Sequence, residues 1–322
     1  MKRIGVFTSG GDSPGMNACI RAVVRTGLHN GLEVFGISNG YDGMIRGEIT
    51  PMHYSSVANI IQRGGTILKT SRSAAFMTPE GRRQAYDQLQ QFGIDGLVAI
   101  GGNGTFTGAE VFLKEYNVPT IGAPGTIDND LYGTDYTIGF DTAVNTAVQA
   151  IDKIRDTAES HGRTFFVEVM GRDTGFIAIH AAIGGGAELV LIPETDTPMS
   201  DLDVLFDHHG KSKRAFTIIV VAEGDELGGA FAIQKKLQER HPDMQSRVTV
   251  LGHIQRGGSP TAFDRLNASM MGTAAVDALL RGERSKMAGV INSEVVLTPF
   301  SEAIGRKKAI NPYFLHMAEA LH

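Results

Sequence analysis

The sequence has a single cysteine, Cys19, in 322 residues. That excludes an internal disulfide and a thiolate zinc cage, and it suits a cytoplasmic setting. Cys19 itself reads as a small buried apolar residue. Long hydrophobic runs are lacking: the longest, such as 216–222, fall far short of the roughly 20 residues that a bilayer-spanning helix needs. Met1-Lys2-Arg3 runs straight into a strand-like Ile4-Gly5-Val6-Phe7, so neither a signal peptide nor membrane attachment is expected. Basic charge is not in excess. Lys+Arg number 30 against 35 Asp+Glu, a net −5, which offers no bulk attraction to nucleic acid or anionic membrane. There is no proline- or serine-rich linker, so any lobe boundary should be a packed crossover, expected at 139–141.

What is there is a rhythm. Hydrophobic residues make up 42% of the chain, enough for a large core and two lobes. Apolar runs at 4–8, 34–37, 96–100, 120–123, 165–169, 189–192, 218–222 and 248–251 read as strands. They are continuous rather than alternating, as expected when both sheet faces are covered. Helix-period segments lie between them at 16–30, 108–116, 142–158, 201–209, 230–240 and 262–281. The alternation predicts an α/β protein with mainly parallel sheets. The polar tail, 292–322, should add a strand and helices.

Chemistry concentrates in five loops that follow strands, where α/β sheets bind ligands. The first, 8–17, carries glycines ahead of a helix N-terminus that favours anions. It matches neither the P-loop nor the dinucleotide fingerprint. The second, Gly101-Gly102-Asn103-Gly104-Thr105, invites close approach by phosphates or a nucleotide, or is a structural bend. The third, Pro124-Gly125-Thr126-Ile127-Asp128-Asn129-Asp130, puts two carboxylates, a hydroxyl and an amide in five residues. Those acids could hold a metal, one could be a base tuned by the other, or the loop could be an Asx-rich turn. The fourth, 170–175, holds Arg172, able to neutralise phosphoryl charge or to pair with Asp173. The fifth, 252–260, sets His253 and Arg256 beside paired glycines, a phosphate clamp. Arg72, Arg163 and Arg247 each read alone as solvated charges. Taken together, the set fits a site for two phosphorylated molecules, and hence phosphoryl transfer.

In order and spacing, segments 8–17, 63–66, 124–130, 138–142, 152–157, 170–172 and 251–261 closely resemble the bacterial ATP-dependent 6-phosphofructokinases, with the likeness running over essentially the whole chain. The resemblance implies a phosphofructokinase fold of two similar-sized lobes, each a mainly parallel sheet with helices on both faces. It implies a nucleotide lobe of 1–139 plus 252–303 and a sugar-phosphate lobe of 140–251 plus 304–322. By the same likeness Asp128 would take the proton of the sugar 1-hydroxyl, with Thr126 and Asp130 positioning, and Arg172 would stabilise the γ-phosphoryl group. Gly11, Tyr41, Arg72, Ser73, Gly102, Asn103, Gly104, Thr105 and Gly108 would line ATP. Thr126, Ile127, Met170, Gly171, Arg172 and Glu223 would hold fructose 6-phosphate. His253 and Arg256, with Arg163 and Arg247 from a neighbouring subunit, would clamp its 6-phosphate. Mg²⁺, a homotetramer with sites at subunit interfaces, and an effector site at Arg21, Arg25, Arg155, Gly186, Glu188, Lys213 and Arg214 are also implied.

Two departures qualify this. The family has aspartate, a Mg²⁺ partner, where this chain has Asn103, so metal capture and turnover are expected to be weaker. In the effector pocket Tyr54 stands at a common arginine position, Ser212 at a basic one and Phe216 at a histidine, although Lys211 keeps some charge nearby. Pyrophosphate-using relatives carry aspartate and lysine at the positions of Gly104 and Gly125, so the glycines here favour ATP. The expected activity is formation of fructose 1,6-bisphosphate in glycolysis. The alternatives are a weak or inactive regulatory paralogue and a pyrophosphate-dependent enzyme.

Overall fold

The computed structural model describes residues 1–203, 206 and 216–321. In chain order the elements begin with β1 (Arg3–Ser9), α1 (Met16–His29), β2 (Glu33–Ile37), α2 (Gly40–Arg46) and β3 (Ile49–Met52). Then come α3 (Pro79–Phe92), β4 (Gly96–Gly101), α4 (Asn103–Tyr116), β5 (Thr120–Pro124) and α5 (Phe140–His161). Next are β6 (Thr164–Val169), α6 (Phe176–Gly185), β7 (Leu189–Leu191), α7 (Met199–Asp203) and β8 (Thr217–Ala222). The chain continues through α8 (Gly229–Arg240), β9 (Ser246–Val250) and α9 (Ala262–Leu280). It ends with β10 (Lys286–Ile291), β11 (Glu294–Pro299), α10 (Phe300–Gly305) and α11 (Pro312–Ala320). Of the expected helix at 201–209, only the start lies within α7; Lys211, Ser212, Lys213 and Arg214 lie outside the described residues.

The chain divides into two compact units, Met1–Thr142 with Arg256–Lys308, and Ala143–Gln255 with Ala309–His322. The crossovers expected after 139, 251 and 303 fall three, four and five residues before these boundaries. Among the described residues the first unit has a seven-stranded sheet, ordered β11-β10-β5-β4-β1-β2-β3, and the second a four-stranded one, β7-β8-β6-β9. By these boundaries the first unit takes the larger share of the chain, so the lobes are unequal rather than similar in size. Both sheets are mainly parallel; β3 and β11 pair antiparallel with their neighbours.

Strand alternation in the first unit sorts its core into two layers. Ile4, Val6, Val98 and Ile100 face α1 and α9, packing with Val23, Met271 and Ala275. Phe7, Leu97 and Ala99 point the other way, onto Met44 of α2, Leu89 of α3 and Phe112 of α4. Successive side chains of a strand alternate between faces, so two apolar layers make the strands read as continuous runs. Cys19 is fully buried in the first layer, and burial pushes its thiol pKa up, leaving an inert thiol. In the second unit Phe166, Ile219 and Val221 pack with Ile233 and Leu237 of α8.

Three helices escaped the sequence reading: α2, α3 and α6. Helix α3 carries legible signals, since Thr78 accepts from the Gly81 N–H, Pro79 follows it, and Gly93 closes the helix at φ 62°. Helix α6, FIAIHAAIGG, is apolar on nearly all sides and has no helical stripe to read. The helix expected at 108–116 is α4, which starts at Asn103. Gly104 and Gly108 lower its helical propensity, yet most of the second loop is the helix's first turn.

Candidate active site

In the first unit the sheet register does the assembling. Ser9 pairs with Gly101, and Gly101 with Pro124, so the loops leaving β1, β4 and β5 emerge side by side. This edge contains a topological switch point, because β1 is followed on one side by β2 and on the other by β4. The crowding dictates glycine at 101, where a Cβ would lie 2.5 Å from the Ser9 carbonyl oxygen and 2.3 Å from Thr105 Oγ1. Segments 8–17 and 63–67 are sewn together. Asn17 donates to the carbonyls of Arg63 and Gly64 and accepts from the Ile67 N–H. Thr70 donates to the Gly10 carbonyl, and Ser71 to that of Asn39, which holds the stretch bearing exposed Arg72 against the same edge. The Ser73 hydroxyl is turned to the Phe76 N–H.

Gly102 caps α4 with an extended backbone, and Asn103, Gly104 and Thr105 form its first turn, with the Thr105 N–H donating back to the Gly102 carbonyl at 3.0 Å. An added Cβ at Gly104 would meet no heavy atom within 4 Å, so space is open there. Tyr41 is buried rather than a pocket wall. Its ring stacks on Phe76 at 3.8 Å, it crowds Gly108, and its hydroxyl donates to the Thr105 carbonyl at 2.7 Å. It shapes the start of α4 from behind.

The 124–130 loop is not a floppy Asx turn. Thr126 Oγ1 accepts from the Asp128 N–H at 3.2 Å, and Thr137 Oγ1 donates to the Thr126 carbonyl at 2.6 Å. Ile127 is buried to 1%, so it can offer a ligand only backbone. Asn129 adopts φ 55° and turns inward, donating to the Asp135 carbonyl and accepting from the Thr137 N–H. Asp128 and Asp130 are left on either side of it. Asn103 Nδ2 donates to Asp130 Oδ2 at 2.8 Å. The amide therefore faces the carboxylate as a donor, and among the described residues no group of three or more His, Cys, Asp and Glu could hold a metal. These residues do not fit a protein-built Mg²⁺ cage.

Arg256 also belongs to the first unit, with its guanidinium against Gly11, where a Cβ would lie 2.0 Å from Nη1. His253 belongs to the second unit, so the expected clamp pair is split between units.

In the second unit Val169 pairs with Ala222 and Glu168 with Val250, which lines up the ends of β6, β8 and β9. Met170, Gly171, Arg172, Glu223 and His253 follow directly. The Arg172 N–H donates to Glu223 Oε1 at 2.8 Å, and the Met170 N–H to Oε1 of the fully buried Gln255 at 2.9 Å. Arg172 sits at φ 55°, a left-handed conformation that costs about 1 kcal/mol or more. Its side chain is 71% exposed and pairs with Asp173 at 3.3 Å. So exposed a pair contributes little and can open readily. Arg163 and Arg247 lie at the opposite end: Arg163 precedes β6, and Arg247 pairs with Phe165. At about 3.3 Å per residue, the length of β6 separates them from Arg172.

The family model for phosphofructokinase matches residues 3–279. The chain belongs to the phosphofructokinase family. It is 58% identical over 322 residues to an ATP-dependent 6-phosphofructokinase of Cytophaga hutchinsonii, covering 100% of this chain and 98% of that one. It is equally identical to ATP-dependent 6-phosphofructokinase 1 of Thermus thermophilus, covering 100% and 99%. Among solved structures, phosphofructokinase from Saccharomyces cerevisiae matches with TM-score 0.89 at 37% identity, over all of this chain and 47% of the yeast chain. This chain thus spans about half the yeast chain's length. A pyrophosphate-dependent phosphofructokinase from Marinobacter aquaeolei, TM-score 0.85 at 20% identity over 97% of this chain and 86% of that one, shares the fold.

Within this phosphofructokinase three of the expected effector residues, Arg155, Gly186 and Glu188, are engaged with one another and with their neighbours. Arg155 donates to the carbonyls of Gly185 and Gly186, lies 4.0 Å from Glu188 and sits over the Phe216 ring at 5.6 Å. Glu188 accepts from the Ile218 N–H. In the first unit Arg25 lies over the Tyr54 ring at 5.7 Å, and Arg21, on the same helix, is lowered in pKa by burial and by Arg25. Both aromatic departures thus cover an arginine. Sequence reasoning missed Asn129, Gln255 and Lys308. The first two lay inside quoted loops without a role. Lys308 gave no signal in its polar tail.

Proposed function

We propose that this chain is an ATP-dependent 6-phosphofructokinase, transferring the γ-phosphoryl group of ATP to the 1-hydroxyl of fructose 6-phosphate in glycolysis. The observation that carries the reading is the loop after β5: a carboxylate, Asp128, held on a fixed turn beside the open N-terminus of α4. The full-length likeness to ATP-dependent 6-phosphofructokinases supports it.

In this reading the N-terminus of α4 and Gly11 take the ATP phosphates, helped by the helix dipole and by Arg72. Asp128 accepts the proton of the 1-hydroxyl as that oxygen bonds to the γ-phosphorus. The bond from the γ-phosphorus to the bridging oxygen breaks, and ADP leaves with the electron pair. Thr126 and Asp130 orient the base. Arg172, released from Asp173, neutralises the transferring group. Glu223 and Met170 hold the sugar. His253 and Arg256 hold the 6-phosphate with Arg163 and Arg247 of a neighbouring copy, since the latter two lie far from Arg172 within one chain. The family likeness supports a homotetramer in the cytoplasm. Mg²⁺ would arrive on the nucleotide rather than be caged by protein.

Gly104 supports ATP over pyrophosphate, and packing alone asks for glycine at 125. Gly104 leaves open space at the helix start, and a side chain at Gly125 would press Ile100 and Met16 at 3.0 Å. Asn103 favours a second reading, a slow or silent regulatory subunit, because its amide serves Asp130 instead of a metal. Turnover by the unaltered chain and by Asp128→Ala decides between them. A working kinase loses about two to four orders of magnitude in fructose 1,6-bisphosphate formation. Turnover near the unsubstituted level removes Asp128 as base. Ligand binding with no turnover by the unaltered chain, across Mg²⁺ and Mn²⁺ concentrations, establishes the second reading.

A further inference from the structure

We propose that Lys308 is a positioning residue for the 128–130 loop, fixing Asn129 in its left-handed turn and placing a positive charge beside Asp130 and Asp135. The proposal rests on the reading of Asp128 as proton acceptor. Lys308 follows Lys307, whose backbone bridges antiparallel to Leu131 and so brings the segment beneath the loop. Its Nζ donates to Asn129 Oδ1 at 2.9 Å and to the Asp135 carbonyl at 2.7 Å.

Each acceptor is shared with a second donor. Asn129 Oδ1 also accepts from the Thr137 N–H at 2.9 Å, and the Asp135 carbonyl from Asn129 Nδ2 at 3.1 Å. Burial pushes the Lys308 pKa down to about 8, against the pull of Asp135 and Asp130. Holding a cation there therefore costs stability. A charge retained at that cost is explained by what it does to nearby carboxylates. It offsets Asp130, which would otherwise burden the ionised form of Asp128, and it locks the residue between the two acids. A rotation at Asn129 would move both carboxylates, and small misplacements are expensive in phosphoryl transfer.

The test compares Lys308→Met and Lys308→Arg in the full chain by steady-state kinetics with ATP and fructose 6-phosphate, thermal unfolding, and amide hydrogen exchange over 126–137. We expect Lys308→Met to lower kcat about tenfold or more, with both KM values within about twofold and the melting temperature unchanged. Lys308→Arg should recover most of kcat. Unchanged kcat in Lys308→Met overturns the proposal. So does a loss shared equally by both variants with a fall in melting temperature, which marks a mere strut. If the unaltered chain forms no fructose 1,6-bisphosphate, the proposed function fails, and exchange then decides on Lys308. Faster exchange of 126–137 in the Met than in the Arg variant upholds the positioning role, and equal exchange overturns it.

Discussion

Restoring an acid at position 103 should destabilise the protein without metal and make it responsive to Mg²⁺. Asn103 Nδ2 lies 2.8 Å from Asp130 Oδ2. In Asn103→Asp that donor becomes a second carboxylate oxygen. At 2.8 Å two unit charges repel by about 6 kcal/mol at an effective dielectric of 20 and by about 1.5 kcal/mol in water. Losing a hydrogen bond to a charged acceptor adds about 1.5–3 kcal/mol if nothing rearranges. Both side chains are partly exposed and can turn apart, so the lower ends govern, and we expect about 3 kcal/mol. A divalent cation between the two acids would reverse the sign, adding about 1.4 kcal/mol for each decade of Mg²⁺ above its dissociation constant. The assay is chemical unfolding of both proteins without nucleotide, in chelator, in Mg²⁺ and in NaCl of matched ionic strength. Asn103→Asp should be less stable in chelator and gain selectively from Mg²⁺. Equal stability in chelator, or equal recovery in NaCl, refutes the claim that the Asn103 amide stands in for a cation.

Gly104→Asp should weaken ATP saturation at least about tenfold while leaving the unfolding midpoint unchanged, because the new side chain enters open space; a loss of stability instead would show the space is filled. Asp264 accepts from the Gly139 and Thr142 N–H groups and the Thr142 hydroxyl at the start of α5, and burial raises its pKa to about 6. The folded state therefore holds that proton longer than the unfolded chain, so stability should fall as pH rises from about 4 to about 6, by roughly 3 kcal/mol at most. Asp264→Asn should flatten that limb in unfolding titrations, and an unchanged limb would assign it elsewhere. Asp203 is held down to about 2 by the Arg240 hydrogen bond and then by His241. Its contribution is present above about pH 4 and lost as pH falls toward 2; Arg240 is half-exposed, so Asp203→Asn should cost only about 1 kcal/mol at neutral pH. A loss several times larger at neutral pH would show that the pair does more than tie α7 to α8.

The strand-end loops were legible because glycine and acid cluster where apolar runs stop, as at 101–105 and 124–130. Register then did what composition could not: Ser9, Gly101 and Pro124 are far apart in sequence and abreast in the sheet. The start of α4 was hidden because its first-turn glycines imitate a loop, and only packing by Tyr41 and capping by Gly102 make it helical. Nothing local marks Lys308, which meets Asn129 across 179 residues. Arg163 and Arg247 read as neighbours of the other phosphate ligands only through the resemblance, since strand direction puts them at the far end of β6 and β9. Helix α3 was readable from Thr78, Pro79 and Gly93, and was overlooked among its charges.

The most direct test of the account is fructose 1,6-bisphosphate formation by the unaltered chain and by Asp128→Ala, with ATP and then with pyrophosphate across a Mg²⁺ titration. The account requires product from ATP, little or none from pyrophosphate, and near-complete loss in Asp128→Ala. Product from pyrophosphate alone, or turnover that survives in Asp128→Ala, would contradict it.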